Sequence, residues 1–257
     1  SDVRVITTLR YRFDGEGFLD GRRRQVFRVA VSDSGDIPTA EQLTDGDWDN
    51  AQPAISADGA SLAVVSNRDD DRDDSTFSDI WVHDLSGTAE PHKVTPGGGV
   101  YGAPAWSPNN TLAWVGHSEA KPWGNVTLDD IQVWDAASDE IRGLLGSYER
   151  EPGGAAISDM KYAAPNPKPI WNAAGEALYS LISDRGSVTI NTVAAAGGAP
   201  TVLAGADPEV HSVTVAADGT LAFAASTMQL PAEVFIQQPG GEAQQLTFTN
   251  AEFLANV

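Results

Sequence analysis

The chain of 257 residues contains no cysteine and few basic residues. Without cysteine it forms no disulfide, holds no metal through thiolates and uses no cysteine nucleophile. Lys and Arg number 16 against 36 Asp and Glu, which gives a net charge of −20. Such a surface repels phosphate backbones and anionic lipid, so nucleic acid and membranes are disfavoured as partners. No apolar run approaches the ~18 residues that a membrane helix needs.

What the chain does contain is an internal repeat. The pattern is Leu or Val followed by Thr, a short loop, an apolar residue before a turn, and then an apolar run. Its equivalent turn positions are 51, 65 and 44 residues apart, at Ser56, Ser107, Asn172 and Ala216. Periods of roughly 40–50 residues are typical of propeller blades or helical arrays.

The local chemistry favours strands over helices. Asp-Gly stands between two apolar runs at 58–59 and at 218–219, which predicts two-residue hairpin turns with both residues at positive φ. Alternating apolar segments follow the turns, at residues 79–84, 130–135, 187–192 and 233–237. Alternation indicates strands with a buried face. A small sheet covers its two apolar faces by packing against its neighbours, so an all-β propeller of four-stranded antiparallel blades is predicted.

Four complete blades are expected, at residues 47–95, 96–146, 147–204 and 205–247. Residues 1–46 are expected to supply part of an earlier blade, from segments 3–12 and 25–31. Residues 248–257 are expected to start another blade or a linker. The propeller is therefore expected to be incomplete within this chain, which also begins without Met.

Several strings resemble one known family. They are Ile-Thr-Thr-Leu-Arg-Tyr-Arg-Phe-Asp-Gly-Glu-Gly-Phe at 6–18, Leu-Thr-Asp-Gly-Asp-Trp-Asp at 43–49, Ser-Asn-Arg at 66–68, Leu-Pro-Ala-Glu-Val at 230–234 and Gln-Leu-Thr at 245–247. Together they resemble the propeller of the prolyl oligopeptidase family of serine peptidases, in its acylaminoacyl-peptidase and dipeptidyl-peptidase-like branch. The resemblance spans nearly the whole chain.

The resemblance implies a propeller, usually seven-bladed, that caps an α/β-hydrolase domain and limits substrates to peptides. The expected partners are a peptide substrate, the hydrolase domain missing from this chain and further copies in a homo-oligomer. The expected location is cytoplasmic, without a cofactor. No catalytic residue is predicted in this chain, because a nucleophile elbow needs Gly-x-Ser-x-Gly. The nearest string, Gly-His-Ser-Glu-Ala at 116–120, lacks the final Gly.

A basic segment is the candidate substrate contact. The predicted substrate-binding residues are Arg10, Arg12, Asp14, Glu16, Arg22, Arg23 and Arg24. Guanidinium groups bind carboxylates in a bidentate manner, so the arginines are candidates for a peptide's C-terminal carboxylate. The acids are candidates for its amino group, as related dipeptidyl peptidases imply. The alternative is that these arginines pair with acids nearby in the structure or with the hydrolase domain.

Other clusters have simpler interpretations. The acidic run at residues 69–74 lacks the Gly and the bidentate Glu of a calcium loop, so a solvated inter-strand loop is expected. The histidines show no metal-ligand spacing, and no metal site is predicted. Most of the tryptophans are expected in the core between blades. Two rival functions stay open: a TolB-like propeller that acts as a protein-binding scaffold, and a propeller glycosidase, which needs paired carboxylates on the axial channel.

Overall fold

The computed structural model describes residues 3–31, 38–118, 127–154, 168–205 and 209–255. These residues form antiparallel sheets and a single helical turn, α1 (Ala251–Leu254). No helix within these ranges has the length and apolar character needed to cross a membrane. Two compact units are present: residues 1–55, 59–102 and 118–127 form one, and residues 56–58, 103–117 and 128–257 form the other.

The first unit contains two small sheets and one complete four-stranded sheet. The strands are β1 (Arg12–Phe13), β2 (Gly17–Phe18), β3 (Phe27–Arg28), β4 (Glu41–Gln42), β5 (Ala51–Ile55), β6 (Ser61–Ser66), β7 (Asp79–Asp84) and β8 (His92–Lys93). β1 pairs with β2, β3 pairs with β4, and the remaining four follow the order β5-β6-β7-β8. Residues 3–10 form no strand, although their apolar pattern led us to expect one.

The second unit contains the other sheets, apart from the first residues of β9. The strands are β9 (Val100–Trp106), β10 (Thr111–His117), β11 (Asp130–Asp135), β12 (Glu140–Gly143), β13 (Glu151–Pro152), β14 (Ile170–Trp171), β15 (Ala177–Asp184), β16 (Ser187–Ala194), β17 (Thr201–Ala204), β18 (Glu209–Val215), β19 (Leu221–Ser226), β20 (Glu233–Gln237) and β21 (Gln244–Gln245). β9 to β12 form a four-stranded meander. β13 and β14 both pair with β15 and so share one position in the sheet. A single parallel pair, Val188 with Glu209, joins that sheet to β18–β21. The blade boundaries themselves stay a prediction.

The central strands are buried on both faces. Leu62, Ala63 and Val64 are consecutive on β6 and have no exposed surface. The same is true of residues 112–114 on β10. Because successive side chains point to opposite faces, such a run means that both faces are covered. In the second unit one core cluster joins β10 and β11 to β15 and β16, and another joins β15 and β16 to β18 and β19. The predicted fold class, an all-β propeller type of four-stranded sheets, is confirmed.

The hairpin turns are present, but their predicted conformation is wrong. Only one residue in each turn has positive φ: Gly59 at 73°, Asn110 at 60°, Gly175 at 70° and Gly219 at 86°. Asp58 and Asp218 are not left-handed. The turn is longer than two residues, since Ser107 N–H bonds to Thr111 O at 2.8 Å and Ala216 N–H to Thr220 O at 2.9 Å. One left-handed residue suffices in such longer turns, and Asn tolerates that conformation where Gly is absent.

A threonine bridge fastens the fourth strand of a sheet to the third. The Thr95 hydroxyl donates to Asp79 Oδ1 at 2.6 Å and accepts from Ile80 N–H at 3.1 Å. Thr44 does the same with Gln25 Oε1 and Val26 N–H, at 2.8 and 2.9 Å. Thr247 bonds likewise to Glu233 and Val234 N–H. The Thr of the repeated Leu/Val-Thr pattern therefore satisfies polar groups that the sheet edge buries.

Replacing Thr95 by Val should lower the free energy of unfolding by about 2 kcal/mol, because the change leaves the Ile80 N–H group unpaired and the buried Asp79 carboxylate with only Lys93 Nζ, at 3.5 Å. Asp79 is 2 % exposed and Thr95 3 %. Urea denaturation followed by circular dichroism measures the loss. Thr214→Val, at an exposed position of β18, is the matched control and should change stability by less than about 0.5 kcal/mol. Equal effects of the two substitutions would contradict the bridge.

Candidate functional site

The first unit contains a pocket of about 790 Å³. Its walls come from the basic segment, from the loop before β5 and from the loop between β6 and β7. The charged lining residues are five arginines and five acids: Arg10, Arg22, Arg23, Arg24, Arg72, Glu16, Asp47, Asp49, Asp70 and Asp73. The aromatic lining residues are Phe13, Phe18, Trp48 and Phe77. On a chain of net charge −20, this balanced set of charges gives a local environment that differs from the acidic surface.

The structure brings five of the seven predicted substrate-binding residues to this pocket: Arg10, Glu16, Arg22, Arg23 and Arg24. Arg12 and Asp14 are not part of its lining. Arg12 lies instead near the ring of Phe18, with its guanidinium carbon 5.8 Å from the ring centroid. Asp14 lies in the exposed turn between β1 and β2. The role of the predicted residues in substrate binding stays a prediction.

Local acids hold three of the pocket arginines. Asp47 accepts from Arg23 Nε at 3.0 Å and from Arg72 Nη2 at 2.9 Å. The hydrogen bond from Arg72, followed by that from Arg23, holds the pKa of Asp47 below its usual value. Arg24 pairs with Glu16, and its backbone N–H donates to Asp49 at 2.6 Å. These side chains line the pocket as neutralised pairs.

The acidic loop between β6 and β7 anchors the N-terminal segment. The Asp73 carboxylate accepts from Arg10 N–H at 3.0 Å and from Leu9 N–H at 2.7 Å. These two bonds, the one from Arg10 first, lower the pKa of Asp73. They also explain why residues 3–10 form no strand here, since N–H groups that a strand needs are bonded to a side chain. In the described part of the chain, no group of three or more His, Asp or Glu side chains is arranged to hold a metal ion.

Within the described ranges, two arginines of the pocket pair with no acid, and one acid of the pocket accepts no hydrogen bond. The Arg10 guanidinium bonds to the backbone carbonyl of Ser75. The Arg22 guanidinium bonds only to backbone carbonyls, Leu19 O at 3.3 Å and Phe18 O at 3.5 Å. Asp70 is exposed and takes part in no ion pair or hydrogen bond among those residues. The pocket therefore offers two cations and one anion to a ligand. Sequence reasoning missed Asp70, because the acidic run containing it was weighed only as a calcium loop or as a solvated inter-strand loop.

Arg68 lies behind the pocket wall, between two tryptophans. Its guanidinium carbon is 4.0 Å from the Trp81 ring centroid and 5.2 Å from that of Trp48. Arg68 Nη2 donates to Asn50 Oδ1 at 3.0 Å, and its Nε donates to Ser66 Oγ at 3.3 Å. Burial lowers the pKa of Arg68 to about 10. Trp48 and Trp81 thus flank a cation, whereas Trp114 and Trp134 are buried, as expected for core residues.

His83 completes this group. Its Nε2 lies 3.0 Å from Arg68 Nη2. Burial, and then the positive charge of Arg68, lowers the pKa of His83 to about 4. The ring is therefore neutral at pH 7, so Nε2 accepts the hydrogen bond from Arg68 and the ring proton lies on Nδ1.

The near match to a nucleophile elbow, at residues 116–120, is described as far as Ser118, and residues 119 and 120 lie outside the described residues. His117 ends β10, and its Nδ1 lies 2.7 Å from Asp129 Oδ1. Burial and the neighbouring Asp129 raise the pKa of Glu151, whose carboxylate accepts from Asp129 N–H at 3.3 Å. Ser118 directly follows β10.

No family model matches the chain. The chain is 27 % identical over 247 residues to the uncharacterized peptidase YuxL of Bacillus subtilis, an alignment that covers 96 % of this chain and 36 % of that protein. Acylaminoacyl peptidase of Pyrococcus horikoshii is similar in structure, with a TM-score of 0.67 and 18 % identity over 100 % of this chain and 36 % of its own. TolB of Acinetobacter baumannii gives a TM-score of 0.55 and 18 % identity over 81 % of this chain and 46 % of its own.

These comparisons confirm the resemblance to the propeller of a prolyl oligopeptidase family peptidase. A puromycin-hydrolyzing peptidase of Mycobacterium tuberculosis has the same fold, with a TM-score of 0.62 and 19 % identity over 90 % of this chain and 36 % of its own. The chain spans about a third of the length of the curated relative that it matches.

Lowering the pH should destabilise the first unit through His83. Between pH 6.5 and about 4 the unfolded chain binds a proton at His83 that the folded chain does not, so stability falls as the pH falls through this window. One pKa unit corresponds to about 1.4 kcal/mol, so the loss is on the order of 2 kcal/mol. His83→Gln should reduce the difference between urea midpoints measured at pH 7 and pH 4.5. His92→Gln, exposed on β8, is the control, and an equal pH response in the wild type and His83→Gln would contradict this role.

Proposed function

We propose that this chain is the substrate-admitting propeller portion of a serine peptidase that hydrolyses peptides, and that the pocket of the first unit binds the ends of a peptide. The chemistry belongs to a hydrolase domain outside this chain, where a Ser nucleophile is acylated by the peptide and then released by water. The similarity to YuxL, the family resemblance and the absence of Gly-x-Ser-x-Gly from the sequence support this proposal. Cytoplasmic location and assembly into oligomers stay predictions of the resemblance.

The observation that carries the peptide-binding role is that charged side chains of both signs, among them Arg22 and Asp70, line the pocket without a charged partner among the described residues. A free peptide has a carboxylate at one end and an ammonium group at the other. In this proposal Arg22 binds the carboxylate, for which its planar fork is suited. Asp70 binds the ammonium group. The aromatic lining residues supply apolar contact for the peptide's side chains.

A second candidate is a protein-binding scaffold. The structural similarity to TolB proteins favours it, with TM-scores of 0.55 and 0.57. A scaffold presents a surface to a folded partner and has no need for a pocket with an unpaired cation. Dependence of binding on the termini of a short peptide therefore separates the two functions.

The chain alone should bind short peptides and hydrolyse none. Isothermal titration with trialanine measures binding, and release of nitroaniline from a peptidyl-nitroanilide measures hydrolysis. The expected result is saturable binding without any release, because the hydrolytic groups are supplied elsewhere. Hydrolysis by the purified chain would overturn the division of roles, and the absence of binding to any free peptide would favour the scaffold.

Replacing Arg22 by Gln should weaken trialanine binding roughly tenfold, since a charged hydrogen bond to the carboxylate is lost. The C-terminal amide of trialanine should bind the wild type and Arg22→Gln equally. Arg28→Gln, whose arginine pairs with Glu41 at 2.7 Å outside the pocket, is the matched control and should bind both ligands as the wild type does. A loss that is the same for the acid and the amide would contradict a carboxylate contact at Arg22.

A further inference from the structure

Arg68 occupies an unusual position for a cation. It lies beneath the pocket wall rather than in the pocket lining, and within the described residues no carboxylate pairs with it directly. Its charge is instead compensated by the faces of two indole rings, by oxygen and nitrogen acceptors and, without direct contact, by the charge of Asp45. A desolvated cation without a direct counter-ion lowers stability. The contacts that Arg68 makes must therefore account for its placement.

Those contacts converge on the loop that forms one pocket wall. Arg68 bonds to Ser66 Oγ, and the same hydroxyl donates to Asp49 O at 2.7 Å. Arg68 also bonds to the side chain of Asn50, which is 2 % exposed. Trp48 directly precedes these two residues in sequence, and its ring lies against Arg68 and closely approaches Gly46. The Arg68 guanidinium thus positions Trp48 and Asn50 directly and Asp49 through Ser66. All three residues belong to the loop of residues 45–50.

Residues 45–50 in turn position the basic segment through hydrogen bonds. Asn50 N–H donates to Arg24 O at 2.8 Å, and Asn50 Nδ2 donates to Gln25 Oε1 at 2.9 Å. The Asp49 carboxylate accepts Arg24 N–H. Asp47, on the same loop, holds Arg23 and Arg72. The other two walls of the pocket, the basic segment and the loop between β6 and β7, therefore depend on where this loop lies.

We propose that Arg68 is the positioning residue of the peptide pocket: it contacts no ligand, but its planar guanidinium sets residues 45–50 and, through them, the arginines that line the pocket. This inference rests on the proposed function and names a determinant of it outside the pocket lining. A lysine cannot replace Arg68, because a single ammonium group cannot lie flat between two rings while bonding to Ser66, Asn50 and His83.

Arg68→Ala with chemical rescue tests the proposal. The substitution should weaken trialanine binding by tenfold or more, and millimolar guanidinium should restore most of the affinity by filling the space between Trp48 and Trp81. Methylammonium at the same concentration should restore none. Arg185→Ala, whose side chain is 85 % exposed in the second unit, should bind trialanine as the wild type does, with or without guanidinium. Unchanged affinity in Arg68→Ala would overturn the proposal.

A second measurement does not depend on peptide binding. Hydrogen exchange at the Asn50 amide should accelerate at least tenfold in Arg68→Ala and slow again with guanidinium. The Val94 amide, which bonds to Ile80 O at 2.9 Å within the sheet, should exchange at an unchanged rate. If the wild type binds no peptide, this pattern still supports the positioning of the loop while the proposed function fails. If Arg68→Ala does not fold, Arg68→Lys should show faster Asn50 exchange, and wild-type exchange in that variant would overturn the inference.

Discussion

The sheets that contain β6, β10 and the pair β15 and β16 are apolar on both faces, and that constraint decides most of the structure. The middle strands carry consecutive buried side chains such as Leu62, Ala63 and Val64. Such a sheet is stable only when other sheets or loops cover it on both sides. In the second unit the covering is direct, because residues of neighbouring sheets share the same core clusters. With the faces committed to packing, only strand ends and loops are left to bear function.

The candidate pocket illustrates this division. Its walls are loops at the ends of β5, β6 and β7 and the segment before β3. Loops of this kind have few apolar contacts of their own, so charged side chains have to order them. Asp73 fixes residues 9 and 10, and Asp47 joins two arginines. Exposed ion pairs add little stability individually. Their effect here is to determine which arginines of the pocket remain available to a ligand.

The sheets could be predicted from the sequence, whereas the pocket could be predicted only in part. β7, β11 and β20 have the bounds of the alternating segments, because alternation reflects burial within the strand itself. Residues 3–10 show a similar apolar pattern, but a carboxylate more than sixty residues away binds their N–H groups. No local pattern reports such a contact. The Asp-Gly turns were placed correctly and given the wrong dihedral angles, since the same dipeptide also suits a longer loop.

The surroundings of Arg68 likewise could not be predicted from local sequence. The string Ser-Asn-Arg was noticed for its resemblance to a family, and nothing in it indicated that Trp48, Asn50, Trp81 and His83 converge on one guanidinium. Those residues come from two segments of the chain, and Arg68 itself lies in a third. Conversely, the cluster of arginines at residues 10–24 stood out by composition, and two of its five members, Arg23 and Arg24, proved to be neutralised by acids.

In the sheet of β9 to β12, Asp130 of β11 takes the place of the threonine bridge and bonds to the backbone just after β12. Its Oδ1 accepts Leu145 N–H at 2.9 Å, and its carboxylate covers the backbone of Gly143, where a Cβ would collide with it. Burial raises the pKa of this carboxyl group. A side chain at 143 is tolerable only if residue 130 is shortened, and a shorter residue 130 leaves Leu145 N–H without its acceptor. The two positions are therefore expected to covary among homologous chains, as a sequence signature that distinguishes this blade from those closed by threonine.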